Sequence, residues 1–330
     1  MRRSTVGCIV TLTLSILMAP LAADAQPVGK VHRIGVLDVG AAANTAGFLE
    51  VVRQGLREHG WVEGQNIVFE SRWTERDYAR LADLAAELVR LKVDVIVART
   101  TRAARAAQQA TQTIPIVMTS GDPVGTGVVS GLARPAENVT GVSGFQPDLV
   151  GKRLELLKEL VPGLTRVAVL WDAEGPASVL EFQEAKAMAP GVGVQLHSWE
   201  VRGPQPDLEG VFQATATGPV GAVLILGSSL FTGGHLQRIV ELVVQHRLPA
   251  MYNPRGFVTA GGLITYGPTL TDSNRRMAYY VDRILKGAKP AELPVEQPTR
   301  FYLTINLKSA RVLGLTIPPH ILVLADEVIQ

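Results

Sequence analysis

The chain has 330 residues, of which 47% are apolar and 19% are charged, and its formal net charge is +2. This length suits about two domains, and this composition is typical of a globular protein and excludes a disordered one. No block of Lys and Arg stands out in the body of the chain, so we expect no nucleic-acid partner.

The first 25 residues have the parts of a secretory signal peptide. A basic start, MRRST, precedes the apolar run VGCIVTLTLSILMAP, and Ala23-Asp24-Ala25 provides small residues for a signal peptidase. The run is shorter than the ~20 residues that a spanning helix needs, so cleavage before Gln26 is predicted. Cys8, the single cysteine, precedes the run instead of following it, which argues against lipid attachment. A mature chain without cysteine fits the periplasm.

Strand-like and helical segments alternate along the next 230 residues. In DYARLADLAAELVR, apolar residues at 81, 84, 85 and 88 share one face, which predicts an amphipathic helix. The β-branched runs predict strands at 32–39, 67–73, 93–98, 114–120, 165–172, 194–201, 221–228 and 248–253. Most are apolar on both faces and are joined by helices, and the order of the first four repeats in the second four. The sequence therefore predicts an α/β protein with two doubly wound parallel-sheet lobes.

The pattern changes after residue 260. A short segment framed by glycines, 261–267, precedes a helix with Met277, Tyr280, Val281 and Ile284 on one face, and then a Pro-rich stretch and the strand FYLTINL. We predict that the chain crosses between lobes near 141–148, 262–267 and 293–300, which makes a three-segment hinge. The predicted division is 30–143 plus 267–293 for lobe 1, and 146–262 plus 298–330 for lobe 2.

The glycine-rich turn after residue 120 raises the question of nucleotide binding. Gly125, Gly127 and Gly131 give G-x-G-x-x-x-G instead of the dinucleotide pattern G-x-G-x-x-G, and a Walker A motif is absent. The six His residues are scattered without a metal-ligand spacing, and no G-x-S-x-G motif occurs. We therefore predict a protein that is not an enzyme and has no cofactor or metal.

Polar residues follow several predicted strands, where α/β sheets place their ligands. The candidate ligand-binding residues are Thr45, Thr100, Thr101, Ser120, Asp122, Asp172, Ser228, Tyr252, Arg255 and Tyr266, the last on a predicted connector. Asp122 could face the ammonium group of an amino acid, and Arg255 its carboxylate. The alternative is that Thr101 and Ser120 only cap a helix and a turn.

Longer motifs carry a family resemblance. The C-terminal PTRFYLTINLKSARVLGLTIPPHILVLADEVI, together with GWVEGQNIVFESRW, LAAELVRLKVDVIVA and IPIVMTSGDPVGTGVVSGLARPAENVTGVS, resembles the ABC transporter substrate-binding proteins of the TrpX-like family. The resemblance implies the type I periplasmic binding protein fold and a small-molecule solute. It also implies an ABC permease with its ATPase subunit as partners, and we expect a monomer.

Two segments depart from the family pattern. Trp171-Asp172-Ala173 stands where similar proteins usually have Trp-Asn-Pro, and Arg255 is followed by Gly256-Phe257 where Arg-Glu-Phe is frequent. Members are linked with aromatic amino acids and other small organic acids, and these departures bear on which one binds. The expected function is a periplasmic solute receptor. The alternatives are a nucleotide-sugar enzyme with twin Rossmann-like lobes, or the solute-sensing domain of a signalling system.

Overall fold

The computed structural model describes residues 30–135, 138–144, 148–213 and 218–330. The predicted signal peptide at 1–25 lies outside these residues. The strands in the described part of the chain are β1 (His32–Asp38), β2 (Ile67–Trp73), β3 (Val95–Ala98), β4 (Ile116–Ser120), β5 (Val139–Ser143), β6 (Arg166–Asp172), β7 (Gln195–Val201), β8 (Ala222–Ile225), β9 (Ala250–Tyr252), β10 (Ile264–Gly267), β11 (Tyr302–Asn306) and β12 (Glu327–Ile329). The α-helices there are α1 (Ala42–Glu58), α2 (Leu81–Arg90), α3 (Thr101–Ala110), α4 (Asp148–Leu160), α5 (Pro176–Val192), α6 (Leu208–Gln213), α7 (Leu236–Gln245), α8 (Gly256–Thr259), α9 (Leu270–Leu285), α10 (Leu307–Val312) and α11 (Pro319–Leu324).

Lobe 1 is built on a five-stranded parallel sheet with the order β2-β1-β3-β4-β5. Strands β1, β3 and β4 are largely buried on both faces, as their continuous apolar runs predict, whereas the edge strand β2 is mostly half-buried. The predicted helical face of α2 is the buried one, with Leu81, Leu84, Ala85 and Leu88 packed against the sheet. On the other face, α9 buries its apolar stripe against β1 and α1, although it follows the strands of the other lobe in sequence.

Lobe 2 is built on a seven-stranded sheet with the order β12-β11-β10-β9-β8-β6-β7. It is parallel except that β11 runs antiparallel to β10. Two apolar clusters cover its faces, one under α4 and α5 and the other under α6 and α7. Together with lobe 1, this confirms the predicted α/β architecture of two doubly wound lobes.

The chain passes between the lobes three times, but one crossing differs from the sequence-based expectation. The sequence predicts a crossing near 262–267, whereas residues 264–267 form strand β10, which pairs with β9 and β11 inside lobe 2. The chain therefore returns to lobe 1 after Gly267. The other crossings follow Ser143 and Glu296, which lie side by side because the Ser143 amide donates to the Glu296 carbonyl at 2.8 Å.

Each sheet has one switch point, the place between two neighbouring strands where the strand order reverses. In a doubly wound sheet, ligands bind outside the carboxyl ends of the strands where the order reverses. In lobe 1 this position lies between β1 and β3, and in lobe 2 between β6 and β8. Asp38 ends β1 and Asp172 ends β6, so each switch point begins with a buried aspartate.

Candidate functional site

Asp38 organises the switch point of lobe 1. Its Oδ2 accepts a hydrogen bond from the Thr45 hydroxyl at 3.0 Å and is also paired with the Arg99 guanidinium. Oδ1 accepts from the Gly40 amide, and Arg99 stacks over the ring of Phe48 at 4.3 Å. The predicted site residue Thr45 is therefore buried, and its hydroxyl is already hydrogen-bonded to Asp38. Its role in the structure is to hold this carboxylate.

Three other predicted residues, Thr100, Thr101 and Ser120, lie at the adjoining strand ends of lobe 1. The Thr100 hydroxyl caps α3 by accepting from the Ala103 amide at 3.1 Å. The Thr101 and Ser120 hydroxyls lie 2.7 Å apart and are buried against each other. The structure thus brings Thr101 and Ser120 together, and the capping role that was the alternative expectation applies to Thr100.

Asp122 is committed to its own turn. Its Oδ1 accepts from the Gly125 amide at 2.8 Å, and its main-chain carbonyl accepts from the Thr126 amide at 3.0 Å. A side chain at position 125 would lie 2.1 Å from Asp122 Oδ2, so the glycine is needed there to let the carboxylate close the turn. These contacts give Asp122 a structural role in the glycine-rich segment, and its contact with a ligand ammonium group stays a prediction.

Asp172 organises the switch point of lobe 2 and is 1% exposed. Its Oδ2 accepts from the Ser228 hydroxyl at 2.8 Å, and its Oδ1 accepts from the Glu174 amide at 3.0 Å. The predicted residues Asp172 and Ser228 therefore lie together. A buried carboxylate with only two neutral donors still favours a cation nearby.

That cation comes from the other lobe. Arg102, in the first turn of α3, places Nη2 3.6 Å from Asp172 Oδ2 and is 13% exposed. Its guanidinium also lies 4.2 Å from the centre of the Tyr78 ring. Arg102 thus links the switch points of the two lobes.

Two buried donors without a hydrogen-bond partner lie at this contact, and a third lies at the end of β2. Arg102 Nη1, the Tyr78 hydroxyl and Trp73 Nε1 are buried and have no hydrogen-bond partner. Burial raises the pKa of the Tyr78 hydroxyl, and the adjacent Arg102 opposes that rise. Trp73 ends β2, directly beside Asp38 in the sheet register. Buried donors usually have an acceptor, so a guanidinium nitrogen without one indicates a place for an anionic group.

The remaining predicted residues, Tyr252, Arg255 and Tyr266, do not join this cluster. Tyr252 is 0% exposed and stacks on Phe257 in the core of lobe 2, because its side chain lies on the face of the sheet that α7 covers. Arg255 forms a bidentate ion pair with Glu327 at 2.6 and 2.8 Å. These contacts give both residues structural roles inside lobe 2.

Tyr266 lies within β10 and contributes its main chain. Its carbonyl accepts from Arg153 Nε at 2.8 Å, and Arg153 Nη1 is paired with Glu181 at 2.7 Å. Glu181 Oε2 accepts from the amide of Gly227, which follows β8. Burial lowers the pKa of Arg153, and the Glu181 carboxylate opposes the shift. This buried ion pair fixes the strand ends of lobe 2.

The lobes touch each other directly beside the Arg102–Asp172 contact. A Cβ at Gly121 in lobe 1 would lie 2.3 Å from the Cβ of Ala177 in α5. Likewise, the Arg76 guanidinium fills the space where a side chain at Gly234 would stand. The two lobes are therefore in direct contact at these two places.

The family of the chain follows from comparison with known proteins. A model of the family described as ABC transporter substrate binding protein matches residues 42–329. The chain belongs to this family. The resemblance drawn from the sequence motifs is confirmed, and so is its expectation of a binding protein in place of an enzyme, because substrate-binding proteins are not enzymes.

Individual relatives agree with the family assignment. The chain is 25% identical over 265 residues, 79% of its length and 74% of the relative's, to the tyrosine-binding protein of Clostridioides difficile. It is 27% identical to each of two solved structures, and the match covers 91% of this chain and 100% of the solved chain in both cases. One is a conserved domain protein from Vibrio cholerae with a TM-score of 0.85, and the other is an ABC domain in complex with L-Trp from Streptococcus pneumoniae with a TM-score of 0.84.

Two further features of the described residues bear on this family. Within the ranges given above, no group of three or more His, Cys, Asp or Glu side chains is placed to hold a metal ion. Across the same residues, none of the helices has the length and apolar character that a bilayer-spanning segment requires.

Sequence reasoning missed the residues that link the lobes. Arg102 follows the predicted Thr100 and Thr101 directly, but an arginine on a helix is usually a solvated surface residue. Asp38 ends its strand as Asp172 does, so the repeat of the two lobes was the signal that could have identified it.

Proposed function

We propose that this protein is the periplasmic receptor of an ABC importer, which closes its two lobes on one small solute and delivers it to a membrane permease. The partners in this proposal are the permease and its ATPase subunit, and the receptor acts as a monomer. Residues 1–25 are the cleaved signal peptide. The functional lobes are 30–143 plus 268–293 and 146–267 plus 298–330, with the second boundary moved to Gly267 because β10 pairs inside lobe 2.

The observation that carries the proposal is the position of Arg102. A guanidinium from lobe 1 reaches a buried carboxylate of lobe 2, and one of its nitrogens has no partner. A solute held at this point contacts both lobes at once. Such a solute favours the closed state over the open one, and closure by population shift requires this difference in affinity.

The chemistry of the site favours an amino acid. Arg102 Nη1 and the Tyr78 hydroxyl are unpartnered donors that suit a carboxylate. Asp172 is a buried carboxylate that suits an ammonium group. The relatives named for tyrosine and for L-Trp support an aromatic amino acid as the ligand, and we propose L-Tyr or L-Trp.

The test is isothermal titration calorimetry of the mature chain with L-Tyr and with L-Trp. Arg102→Met should weaken binding by about 30-fold or more, because removing one partner of a buried charge pair costs at least about 2 kcal/mol. Arg105→Met is the matched control. Arg105 lies one turn further along α3, where its guanidinium donates to the Thr126 carbonyl.

Two results would overturn the proposal. If Arg102→Met and Arg105→Met bind alike, the solute does not sit at the contact between the lobes. If the ligand recovered after incubation is chemically changed, the protein does more than bind it. Loss of uptake of the labelled amino acid in cells that lack the protein tests delivery to a permease.

A further inference from the structure

Arg76 differs from the other residues at the contact between the lobes because its main chain is strained. It lies in the turn 74–77, which follows β2, and both Glu75 and Arg76 have positive φ values, of 54° and 72°. Residues other than Gly, Asn and Asp rarely adopt this left-handed conformation, because their Cβ lies too close to the carbonyl oxygen. Strain of this kind persists where the surrounding structure imposes it, and it is concentrated at functional sites.

Lobe 1 imposes the conformation of this turn. The hydroxyl of the fully buried Thr74 donates to the Val39 carbonyl at 2.8 Å, and the Arg76 amide donates to the same carbonyl at 3.2 Å. Val39 follows β1 directly, so the turn is anchored beside the switch point of lobe 1. The Arg76 side chain therefore starts from a fixed main-chain position at the carboxyl end of the sheet.

The side chain of Arg76 ends on Gly234 of lobe 2, in the segment between β8 and α7. A Cβ at Gly234 would lie 2.6 Å from Arg76 Cζ, 2.8 Å from Nη2 and 2.9 Å from Nη1. Because these three distances are nearly equal, the flat face of the guanidinium lies against the glycine. The N–H groups lie in the guanidinium plane, so its edges remain free to donate in the fork geometry that matches a carboxylate.

The Arg76 guanidinium has no acceptor within the part of the chain that the structure describes, where it forms neither a hydrogen bond nor an ion pair. Arg102, in contrast, is paired with Asp172. Arg76 is only half-buried, so a ligand can reach it. Burial raises the pKa of the Tyr78 hydroxyl, and the charge of Arg76 opposes this rise as that of Arg102 does. A cation without a counter-ion thus lies beside the donors of the candidate site, where it attracts an anionic group.

We propose that Arg76 is a specificity-determining residue, which donates to the carboxylate of the amino acid held between the lobes. This assignment rests on the proposed function, in which Arg102 and Tyr78 already bind that carboxylate. Arg76 adds a second guanidinium, and the strained turn holds it in position before the ligand arrives, which lowers the entropic cost of binding. The two cations select ligands with a free carboxylate over amides of the same aromatic body.

L-Trp and L-tryptophanamide test the assignment, because they differ only at the carboxyl group; L-Tyr and L-tyrosinamide replace them if the wild type binds L-Tyr more tightly. Kd values are measured by calorimetry for the mature wild type, Arg76→Met and Arg80→Met, with displacement titration for the weaker amide. Arg76→Met should weaken L-Trp about tenfold or more, because it removes a hydrogen bond to a charged group, and should change the Kd of the amide less than about twofold. Arg80 is the matched control, because it is exposed and its guanidinium also has no partner among the described residues.

Arg76→Lys keeps the positive charge without the paired N–H groups and should recover part of the affinity for L-Trp. If the wild type binds neither L-Trp nor L-Tyr, the proposed ligand is wrong and Arg76 loses this role with it. If the wild type binds L-Trp and both Met variants share its Kd, the assignment of Arg76 alone fails. Equal losses for L-Trp and its amide in Arg76→Met, or no recovery in Arg76→Lys, would show that Arg76 supports the contact between the lobes without recognising the carboxylate.

Discussion

Gly121 sits where the two lobes touch, and replacing it with alanine should oppose closure selectively. The added Cβ would lie 2.3 Å from the Cβ of Ala177, about 1 Å closer than van der Waals contact permits. The backbone at Gly121 is outside the left-handed region, so alanine brings no local strain. The lobes must therefore move apart by about 1 Å to admit it. Overpacking of this kind costs about 1–3 kcal/mol, and here only the closed state bears it.

We expect Gly121→Ala to weaken binding of the amino acid by about 5- to 150-fold in calorimetry, with the free energy of unfolding within about 0.5 kcal/mol of wild type. Small-angle scattering should show less compaction at saturating ligand. Gly131→Ala is the control, because a Cβ at Gly131 meets no atom within 4 Å. Adding Ala177→Gly to Gly121→Ala removes the overlap and should restore affinity. If Gly121→Ala binds and compacts like wild type, the lobes do not close through this contact.

Three further predictions concern buried groups. Glu181→Gln should lower the free energy of unfolding by about 3 kcal/mol in urea titration, because it leaves Arg153 buried without its charge partner. Glu159→Gln, at an exposed pair with His320, is the control and should change that free energy by less than about 0.5 kcal/mol. Equal effects of the two substitutions would contradict this prediction. Asp172→Asn should weaken amino acid binding about tenfold or more while the protein stays folded. An unchanged Kd would show that Asp172 does not contact the ammonium group of the ligand. Because the pKa of Tyr252 is raised in the folded protein, the unfolded chain loses the Tyr252 proton at a lower pH than the folded protein does. The free energy of unfolding should therefore fall as pH rises above about 10, and it should fall less steeply in Tyr252→Phe. If the two proteins show the same dependence of this free energy on pH, Tyr252 contributes nothing to it.

The positions of most strands could be predicted because parallel strands buried on both faces have continuous runs of apolar, mostly β-branched residues. The run VDVIVA, for example, predicted as a strand at 93–98, contains β3, whose four residues are all buried. Strand β5 was not among the predicted strands, and a glycine interrupts its short sequence, VTGVS. Gly141 is required there, since a Cβ would lie 2.1 Å from the Met118 carbonyl oxygen of the neighbouring strand. That constraint exists only once β4 and β5 are paired.

The candidate site could be predicted only in outline. The rule that ligands bind at strand carboxyl ends predicts main-chain positions, and it predicted Asp172 and Ser228, which lie together at the switch point of lobe 2. It does not say on which face of the sheet a side chain lies, and Tyr252 lies on the helix-covered face. Nor does it show that Asp122 closes its own turn. Arg102 acquires its role from the opposite lobe, which no local pattern reveals.

The late position of α9 in the chain has a consequence for biosynthesis. Met277 and Tyr280 complete the core beneath β1, and β11 and β12 complete the edge of the other sheet. Neither core can therefore close until the ribosome has made almost the whole polypeptide. A product that stops before residue 270 would therefore leave both halves exposed to proteases.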